Sequence, residues 1–325
     1  MKTGNTYSIN KYMNSIQLKL FDFGMQRHKT PSLFQLSKIE KVDLTGNMML
    51  DFVLTAYNYA KLTFKKYSSQ YSKQKYTQPQ LFAILAYKTY NKYDYRNTIE
   101  NLKVSTKLQK ALNLKTIPHY TTIQKFFKKL PVKKLNQINT LLLQHFPVSE
   151  CYFSLDGTGF TNSYSDIYYN NRTKKTRRSY IKNHITVDSK YMLIRHHNAT
   201  KGPKYDTNFA ISAIRAIRCY KPTYILADKA YDTEIIKQTI TEETTALTPI
   251  PVKTRQKSGT YRSKCRAIFR PQVYRFRNQV EGVNSVEKRK FSGINNSRST
   301  NLQIKETKMK NVFYNIYRSI QIVQK

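Results

Sequence analysis

The sequence predicts an α/β fold in its C-terminal half, preceded by an all-helical region. Before residue 148, apolar residues recur every three or four positions in segments bounded by Pro, Thr and Ser, which is typical of amphipathic helices. Beyond that point, short β-branched and aromatic runs alternate with helical patterns, which predicts a sheet flanked by helices. We therefore predict an N-terminal arm over residues 1–45, a helical DNA-binding domain over 46–147 and an α/β domain over 148–325.

Charge is the strongest compositional signal. The chain has 57 Lys+Arg against 19 Asp+Glu, a formal net charge of +38 over 325 residues, while 39% of its residues are hydrophobic. That hydrophobic content excludes a disordered polycation. Solubility alone requires a net charge of only about 2–8 for a small domain. The composition therefore indicates a folded protein whose partner is a polyanion, and it favours double-stranded DNA over a membrane surface.

The cysteines and the apolar runs exclude several other classes of protein. Cys151, Cys219 and Cys265 are odd in number, far apart and without a CxxC pair, so neither a disulfide framework nor a zinc site is predicted. No apolar run approaches the roughly 20 residues needed to span a bilayer, and the N-terminus lacks the apolar core of a signal peptide. We expect a cytoplasmic protein that is nucleoid-associated when bound to DNA, with no membrane partner.

One helix of the N-terminal region has a face suited to DNA. Helices are predicted over 47–66, 79–90, 95–102, 107–112, 121–130 and 133–146. In the fifth of these, Thr121 and Gln124 are spaced as a capping box. Opposite its apolar stripe lie Lys125, Lys128 and Lys129, which suit phosphates, as in the recognition helix of a helix-turn-helix. An ordinary amphipathic helix with a solvated lysine face predicts the same pattern.

The α/β region has an order of elements with a known counterpart. Strands are predicted over 152–156, 180–187, 191–196, 224–227 and 246–252, and helices over 206–217, 232–240, 274–289 and from 302 onward. Three early strands followed by alternating helix and strand are compatible with a ribonuclease-H-like mixed sheet flanked by helices.

Three carboxylates lie where a metal site would need them. Asp156 and Asp228 each follow an apolar strand, and Glu281 lies on a predicted helix. Hard cations such as Mg²⁺ or Mn²⁺ take oxygen ligands, and two such ions together promote phosphodiester cleavage. Structural alternatives exist for these residues: Asp156 could cap a turn, and Glu281 could form an ordinary salt bridge. We assign Asp232 to the N-cap of the helix that follows it and not to the metal site.

A longer pattern joins these residues. The stretch YRFRNQVEGVNSVEK carries Tyr274, Arg277, Glu281 and Lys288 with two, three and six residues between them. This spacing resembles the Y-R-E-K signature of insertion-sequence DDE transposases, and SLDGT and LADKAYD resemble the two aspartate motifs of that family. The resemblance extends from Tyr76 to the C-terminus and leaves the first 45 residues uncovered.

The resemblance implies a catalytic site and a substrate. Asp156, Asp228 and Glu281 would be the catalytic carboxylates and would bind two Mg²⁺ or Mn²⁺ ions. Arg277 and Lys288 would hold DNA phosphates, and Tyr274 would stack or hydrogen bond beside them. The implied activity is metal-dependent cleavage and strand transfer at the terminal inverted repeats of a mobile element, by a homodimer or larger oligomer assembled on DNA.

Weaker matches and other functions remain open at this level. GPKYDT resembles a Gly…His-Asp segment of the same family with Tyr205 in place of the His. Asp206 is then either a fourth acid near the site or, as we predict, the N-cap of the following helix. A catalytically inactive DNA-binding relative acting as a repressor, or a metal-dependent nuclease on the same fold, would share most of these features. An assay for joined DNA product separates the nuclease from the transposase.

Overall fold

The helical pattern before residue 148 corresponds closely to helices in the folded protein. The computed structural model describes residues 44–162, 172–174, 180–253 and 258–324. Nearly all of the predicted N-terminal arm, residues 1–43, lies outside them. The helices of the first region are α1 (Met48–Thr63), α2 (Gln78–Tyr90), α3 (Tyr95–Val104), α4 (Thr106–Ala111), α5 (Tyr120–Lys129) and α6 (Val132–Gln144). A helix lies at each of the six predicted positions, with its ends shifted by no more than three residues.

The capping box predicted for the fifth helix is wrong. Helix α5 begins at Tyr120, one residue earlier than predicted, so Thr121 lies inside its first turn. The N-cap is His119, whose Nδ1 accepts a hydrogen bond of 3.4 Å from the backbone N–H of Thr121. A capping box does occur at α2, where Thr77 and Gln80 exchange side-chain and backbone hydrogen bonds.

The second half of the chain forms a mixed sheet. Its elements are β1 (Tyr152–Thr161), β2 (Tyr180–Asp188), β3 (Ile194–Lys201), α7 (Thr207–Ile217), β4 (Tyr224–Leu226) and α8 (Glu234–Glu243). The strand order is β3-β2-β1-β4, with β1 antiparallel to β2, β2 antiparallel to β3, and β4 parallel to β1. The mixed α/β architecture predicted from the sequence is therefore confirmed at this level.

Three of the predicted strands differ from their predicted bounds by three residues or more. Strand β3, predicted over 191–196, is Ile194–Lys201. Strand β1 continues through Gly157 and Gly159 to Thr161, because its backbone pairs with β2 along the whole of that stretch. The predicted strand 246–252 is reduced to a single parallel bridge between Leu247 and Tyr224, at the outer edge of β4.

The remaining helices also depart in part from the pattern. They are α9 (Thr260–Ile268), α10 (Pro271–Tyr274), α11 (Asn278–Phe291) and α12 (Thr300–Val323). The single helix predicted over 274–289 is wrong in its first turn, where a 3₁₀ turn, Arg275–Arg277, separates α10 from α11. The closing helix predicted from residue 302 is confirmed as α12. No helix in the described part of the chain is long and apolar enough to cross a bilayer.

The two faces of β1 meet different partners. Phe153 and Leu155 pack in the main apolar core against Ile214 of α7 and Ile236 of α8. Because side chains alternate along a strand, Asp156 points to the opposite face. On that face the structure places the segment leading into α11, where the hydroxyl of Ser154 donates a 3.3 Å hydrogen bond to the carbonyl of Phe276.

Helix α12 packs against both halves of the chain through buried amides. Asn311 exchanges hydrogen bonds of 2.7 and 2.9 Å with Asn183 of β2. The amide of Asn315 donates 2.7 Å to Asn139 of α6 and 2.8 Å to the carbonyl of Ile194 in β3. Val42–Lys325 accordingly form one compact unit. The functional boundary at residues 147 and 148 stays a prediction.

Candidate active site

Asp156 is the centre of a polar cluster on the face of the sheet opposite the main core. Its Oδ2 accepts a 2.8 Å hydrogen bond from the side-chain amide of Asn284 in α11. Its Oδ1 lies 3.5 Å from Nη2 of Arg277, in the 3₁₀ turn before α11. Both side chains of this pair are only 16% exposed. One strand and the start of one helix therefore create this half of the site.

Asp228 follows the neighbouring strand at the corresponding position. Ser154 of β1 pairs with Leu226 of β4 in a parallel register, so Asp156 and Asp228 each stand two residues beyond the same pair. Strand β4 ends at Leu226 while β1 continues to Thr161, so Asp228 follows the end of β4 beside the middle of β1, where Asp156 lies. Oδ1 of Asp228 accepts a 2.8 Å hydrogen bond from the backbone N–H of Ala230 and so caps the 3₁₀ turn Lys229–Tyr231.

Glu281 completes the set from α11. It lies in the first turn of this helix, and its side chain is 53% exposed. One helical turn earlier, Arg277 donates a hydrogen bond to Oε1 of Glu281 through Nη1. A single guanidinium thus contacts Asp156 and Glu281, although these acids are 125 residues apart in the sequence.

The electrostatics of Asp156 show that the three acids share one environment. Burial raises the pKa of Asp156, while Arg277 and the backbone N–H of Gly157 oppose that rise; the charges of Asp228 and Glu281 raise the pKa further, and the net shift is upward. Burial lowers the pKa of Arg277, but Asp156, Glu281 and Asp228 outweigh it, so the guanidinium stays charged. The charges of Asp228 and Glu281, which the sequence grouped with Asp156, thus contribute to the pKa of Asp156.

The donor set fits a divalent cation in its chemistry. Among the described residues, no three His, Cys, Asp or Glu side chains lie close enough together to hold a metal ion. The guanidinium of Arg277 instead supplies the positive charge that Asp156 and Glu281 require. Asn284 adds a further hard donor, since its Oδ1 is buried without a hydrogen-bond partner beside Asp156. A cation would therefore compete with Arg277 for these oxygens.

Tyr274 lies near the charges of this cluster, whereas Lys288 lies farther along β1. Burial raises the pKa of Tyr274, Arg277 lowers it, and Asp228 and Glu281 raise it, so the phenol is close to three of the site's charges. Its ring packs 5.6 Å from that of Phe269. Nζ of Lys288 lies 5.8 Å from the ring centroid of Phe160, four residues after Asp156 in β1.

Two other aspartates have structural partners different from those predicted. Thr233, and not Asp232, caps α8. Asp232 is 1% exposed and accepts hydrogen bonds of 2.7 Å from Nζ of Lys237 and 2.7 Å from the backbone N–H of Lys253. The N-cap role predicted for Asp206 is also wrong, because its side chain makes no capping hydrogen bond to α7.

The three lysines predicted to bind DNA lie on an exposed face of α5. Lys125, Lys128 and Lys129 point to solvent, while Ile123 and Phe127 bury the opposite face. Lys125 and Lys129 line a groove of about 250 Å³, whose other wall includes the linker lysines 73 and 75. This basic surface belongs to a different element from the Asp156 cluster.

Asn284 was missed by sequence reasoning. An asparagine on a helix is a common residue with no chemical signature of its own. The signal that could have found it is its position three residues after Glu281, which places both side chains on similar sides of α11.

A comparison with known families decides the family of the chain. The model of the transposase DDE domain matches residues 149–315, more than half of the sequence. The chain belongs to the DDE transposase family. No curated protein matches it. The match begins just before β1, continues through the 3₁₀ turn between α10 and α11, and ends within α12. It therefore includes every residue of the Asp156 cluster.

Membership of the DDE transposase family assigns an enzyme class to this fold. The chain is a transposase-type enzyme, and its family implies DNA as the substrate. DDE transposases generally use divalent metal ions, which agrees with the oxygen donors of the Asp156 cluster. Helix α5 and its lysines lie outside the matched residues.

Proposed function

We propose that this transposase binds the terminal inverted repeats of its own element and catalyses both strand cleavage and strand transfer. The observation that carries the proposal is that three separate segments of the chain meet at one place. They contribute Asp156 on β1, Asp228 after β4, and Arg277 with Glu281 at the start of α11. Acidic residues are only a third as numerous as basic ones in this protein. Three of these few acids nevertheless lie near one another, with only Arg277 to balance their charges. A divalent cation bound by all three is the best explanation of this arrangement.

In this proposal Asp156, Asp228 and Glu281 hold the divalent cations. Two Mg²⁺ or Mn²⁺ ions would supply charge stabilisation for the attacking and leaving oxygens of the phosphodiester. Asn284 fixes the orientation of the Asp156 carboxylate through its 2.8 Å hydrogen bond. The parallel register of β1 and β4 holds Asp228 beside Asp156 before any ligand is bound.

Arg277 has a second role in the proposed reaction. In the structure its guanidinium neutralises Asp156 and Glu281. Once cations neutralise these acids, the guanidinium becomes available to a DNA phosphate, which it can contact with two parallel hydrogen bonds. Tyr274, near the same cluster, and Lys288, farther along β1, would contact the adjacent backbone.

The fold favours the same proposal. A ribonuclease-H-like sheet has three antiparallel strands followed by parallel ones, with the acids at the ends of the first and fourth strands. The order β3-β2-β1-β4 and the parallel bridge at Leu247 are compatible with that arrangement. We further assign α5 to recognition of the DNA ends because its lysine face is exposed, and we expect a dimer or larger oligomer on DNA.

The deciding experiment is an assay of cleavage and joining on a duplex that carries an element end, with Mg²⁺ or Mn²⁺. Asp156→Asn, Asp228→Asn and Glu281→Gln should each abolish both steps while retaining DNA binding. Glu100→Gln is a matched control, since Glu100 is an exposed helical acid paired with a cation, Lys103, 2.9 Å away. Full activity in any of the three variants would remove that residue from the site.

The two alternatives give different results in the same assay. A nuclease on this fold would cut the duplex without forming joined product. An inactive DNA-binding relative would bind the ends but would form neither cleaved nor joined product, with or without the metal. Substitution of the three acids would then change nothing in the assay.

A further inference from the structure

The face of β1 opposite Asp156 carries no side chain at two alternate positions. Gly157 and Gly159 leave a gap over the strand, and their cross-strand partners in β2 are His184 and Lys182. Directly paired residues point to the same face of a sheet, so both side chains extend over the glycines. There they meet Asp206, which precedes α7.

Asp206 is held at this place by two partners. Its Oδ2 accepts a 2.8 Å hydrogen bond from Nζ of Lys182, and its Oδ1 lies 3.0 Å from Nδ1 of His184. Nζ of Lys182 also donates 3.0 Å to the carbonyl of Lys204, and the His184 ring stacks 4.3 Å from that of Phe209. Burial raises the pKa of Asp206, but His184 and Lys182 beside the carboxylate outweigh burial and lower it. The carboxylate is therefore ionised and fixed.

The carboxylate of Asp206 occupies the space that a side chain at position 157 would need. A Cβ added to Gly157 would overlap Oδ1 of Asp206 and would lie 3.0 Å from its Cγ and 3.2 Å from Cε of Lys182. Asp206 thus packs directly on the backbone of Gly157. This explains the glycine next to Asp156 by a close approach between two segments and not by a turn.

Gly157 in turn contacts the candidate metal ligand. It directly follows Asp156 in β1, and its backbone N–H lowers the pKa of the Asp156 carboxyl. A shift of the Gly157 peptide therefore moves the backbone from which the Asp156 side chain extends. The chain of contacts runs from Lys182 and His184 through Asp206 and Gly157 to Asp156.

We infer that Asp206, held by Lys182 and His184, is a positioning residue. It packs on the face of β1 opposite Asp156 and fixes the Asp156 carboxylate in the orientation that binds a divalent cation. This inference rests on the proposed function, because it requires a cation at Asp156. It assigns a role to a residue that touches neither the cation nor the DNA. Residues that orient a metal ligand in this way typically change metal affinity or activity by about 10–100-fold when substituted.

The test measures Mn²⁺ binding to the full-length protein by calorimetry, without DNA, beside the rate of cleavage on an end-containing duplex. Asp206→Asn should weaken Mn²⁺ binding and lower the cleavage rate at saturating DNA, each by about 10-fold or more, while the KM for DNA stays unchanged. A residue needed only for folding would lower the melting temperature and leave the Mn²⁺ affinity of the folded fraction intact.

Asp188→Asn is the matched control, at the end of the strand β2 that carries Lys182 and His184. Asp188 is fully buried and accepts a 2.7 Å hydrogen bond from Nε of Arg195, so its loss should destabilise the fold without altering Mn²⁺ affinity. Equal weakening of Mn²⁺ binding by Asp188→Asn and Asp206→Asn would overturn the inference, as would wild-type Mn²⁺ affinity in Asp206→Asn.

A second pair of variants covers the case in which Asp206→Asn fails to fold. Gly157→Ala should weaken Mn²⁺ binding in the same way, because the added Cβ displaces Asp206. The Cβ of Gly159→Ala lies 3.3 Å from the ring of Tyr180 and has no atom of Asp206 among its nearest neighbours, so this variant should bind Mn²⁺ as the wild type does. Wild-type Mn²⁺ affinity in Gly157→Ala would contradict the inference.

Asp156→Asn separates this inference from the proposed function. Loss of Mn²⁺ binding in Asp156→Asn together with normal binding in Asp206→Asn would reject the positioning role alone. Unchanged Mn²⁺ binding in Asp156→Asn, or no Mn²⁺ binding by the wild type, would reject the proposed metal site and the positioning role together.

Discussion

The side-chain amide of Asn284 donates a 2.8 Å hydrogen bond to Oδ2 of Asp156. Asn284 lies on α11 and Asp156 on β1, so this bond joins the helix that carries Glu281 to the strand that carries the first acid. Asn284 is 7% exposed, and its own Oδ1 has no hydrogen-bond partner. The pair is thus a fixed element of the candidate site and can be tested directly.

Asn284→Ala should slow cleavage about 10–100-fold at saturating DNA, since an unoriented carboxylate loses the geometry that catalysis requires. Single-turnover cleavage with Mg²⁺ measures this rate. Asn278→Ala, at the exposed start of the same helix, is the control and should cleave normally. A wild-type rate in Asn284→Ala would show that the hydrogen bond is dispensable.

Arg277→Gln should change the affinities for Mn²⁺ and for DNA in opposite directions. Removing the guanidinium leaves Asp156 and Glu281 without their neutralising charge, so Mn²⁺ affinity in the absence of DNA should rise by about 10-fold. DNA affinity should fall, and the slope of log K against log salt should flatten by about one for the lost phosphate contact. Calorimetry measures the first effect and a binding titration at several salt concentrations the second.

The control for Arg277→Gln is Arg215→Gln, which removes an exposed Arg paired with Glu243 at 2.7 Å. This variant should leave both Mn²⁺ affinity and the salt slope unchanged. An unaltered Mn²⁺ affinity in Arg277→Gln would mean that cation and guanidinium do not compete for the same acids.

Lys125→Ala combined with Lys129→Ala should weaken binding to end-containing and random duplexes by a similar factor, since lysine contacts to phosphates carry no sequence information. The salt slope should fall by about two. Lys103→Ala, on the neighbouring helix α3 and paired with Glu100, is the matched control. A loss confined to the end-containing duplex would indicate base contacts instead.

Glu287→Gln should change how stability depends on pH. Burial raises the pKa of Glu287 to about 8, against the opposing charges of Lys310 and Lys288. The folded protein therefore keeps a proton that the unfolded chain releases near pH 4.5. Stability from this group is complete below pH 4.5 and is lost as the pH rises towards 8, by up to about 4 kcal/mol.

Urea unfolding at pH 5, 6.5 and 8 tests this sign. The wild type should lose stability over that range relative to Glu287→Gln, whose amide cannot ionise. Glu100→Gln, at an exposed site, should follow the wild type. Parallel pH profiles for the wild type and Glu287→Gln would contradict a raised pKa at Glu287.

The amide pair of Asn183 and Asn311 should contribute cooperatively to stability. Each single Ala variant leaves the other amide buried and unpaired, at a cost of about 1–3 kcal/mol. The double variant should cost less than the sum of the two, because no unpaired amide remains. Urea unfolding of the four proteins measures this coupling, with Asn136→Ala, at an exposed position of α6, as the control. Strict additivity would mean that the two amides do not interact.

The helices and strands could largely be predicted because their signals are local. Apolar spacing located α1 to α6, and β-branched runs located β1 to β4, within a few residues. Local signals failed where a neighbour decided the outcome. Strand β1 continues through two glycines because β2 pairs with it, and the helix predicted over 274–289 is interrupted at Arg275–Arg277, where Arg277 contacts Asp156.

By itself, the sequence determined the family of this protein, the α/β order of its second half and the identity of the acids that could form a site, since residue spacing survives without coordinates. The tertiary structure decided which groups meet: Arg277 with Asp156, Asn284 with Asp156, and Asp206 with Gly157. Each of these contacts joins segments separated by tens of residues or more. Such pairings depend on strand register and on helix packing across the sheet, which no local pattern encodes.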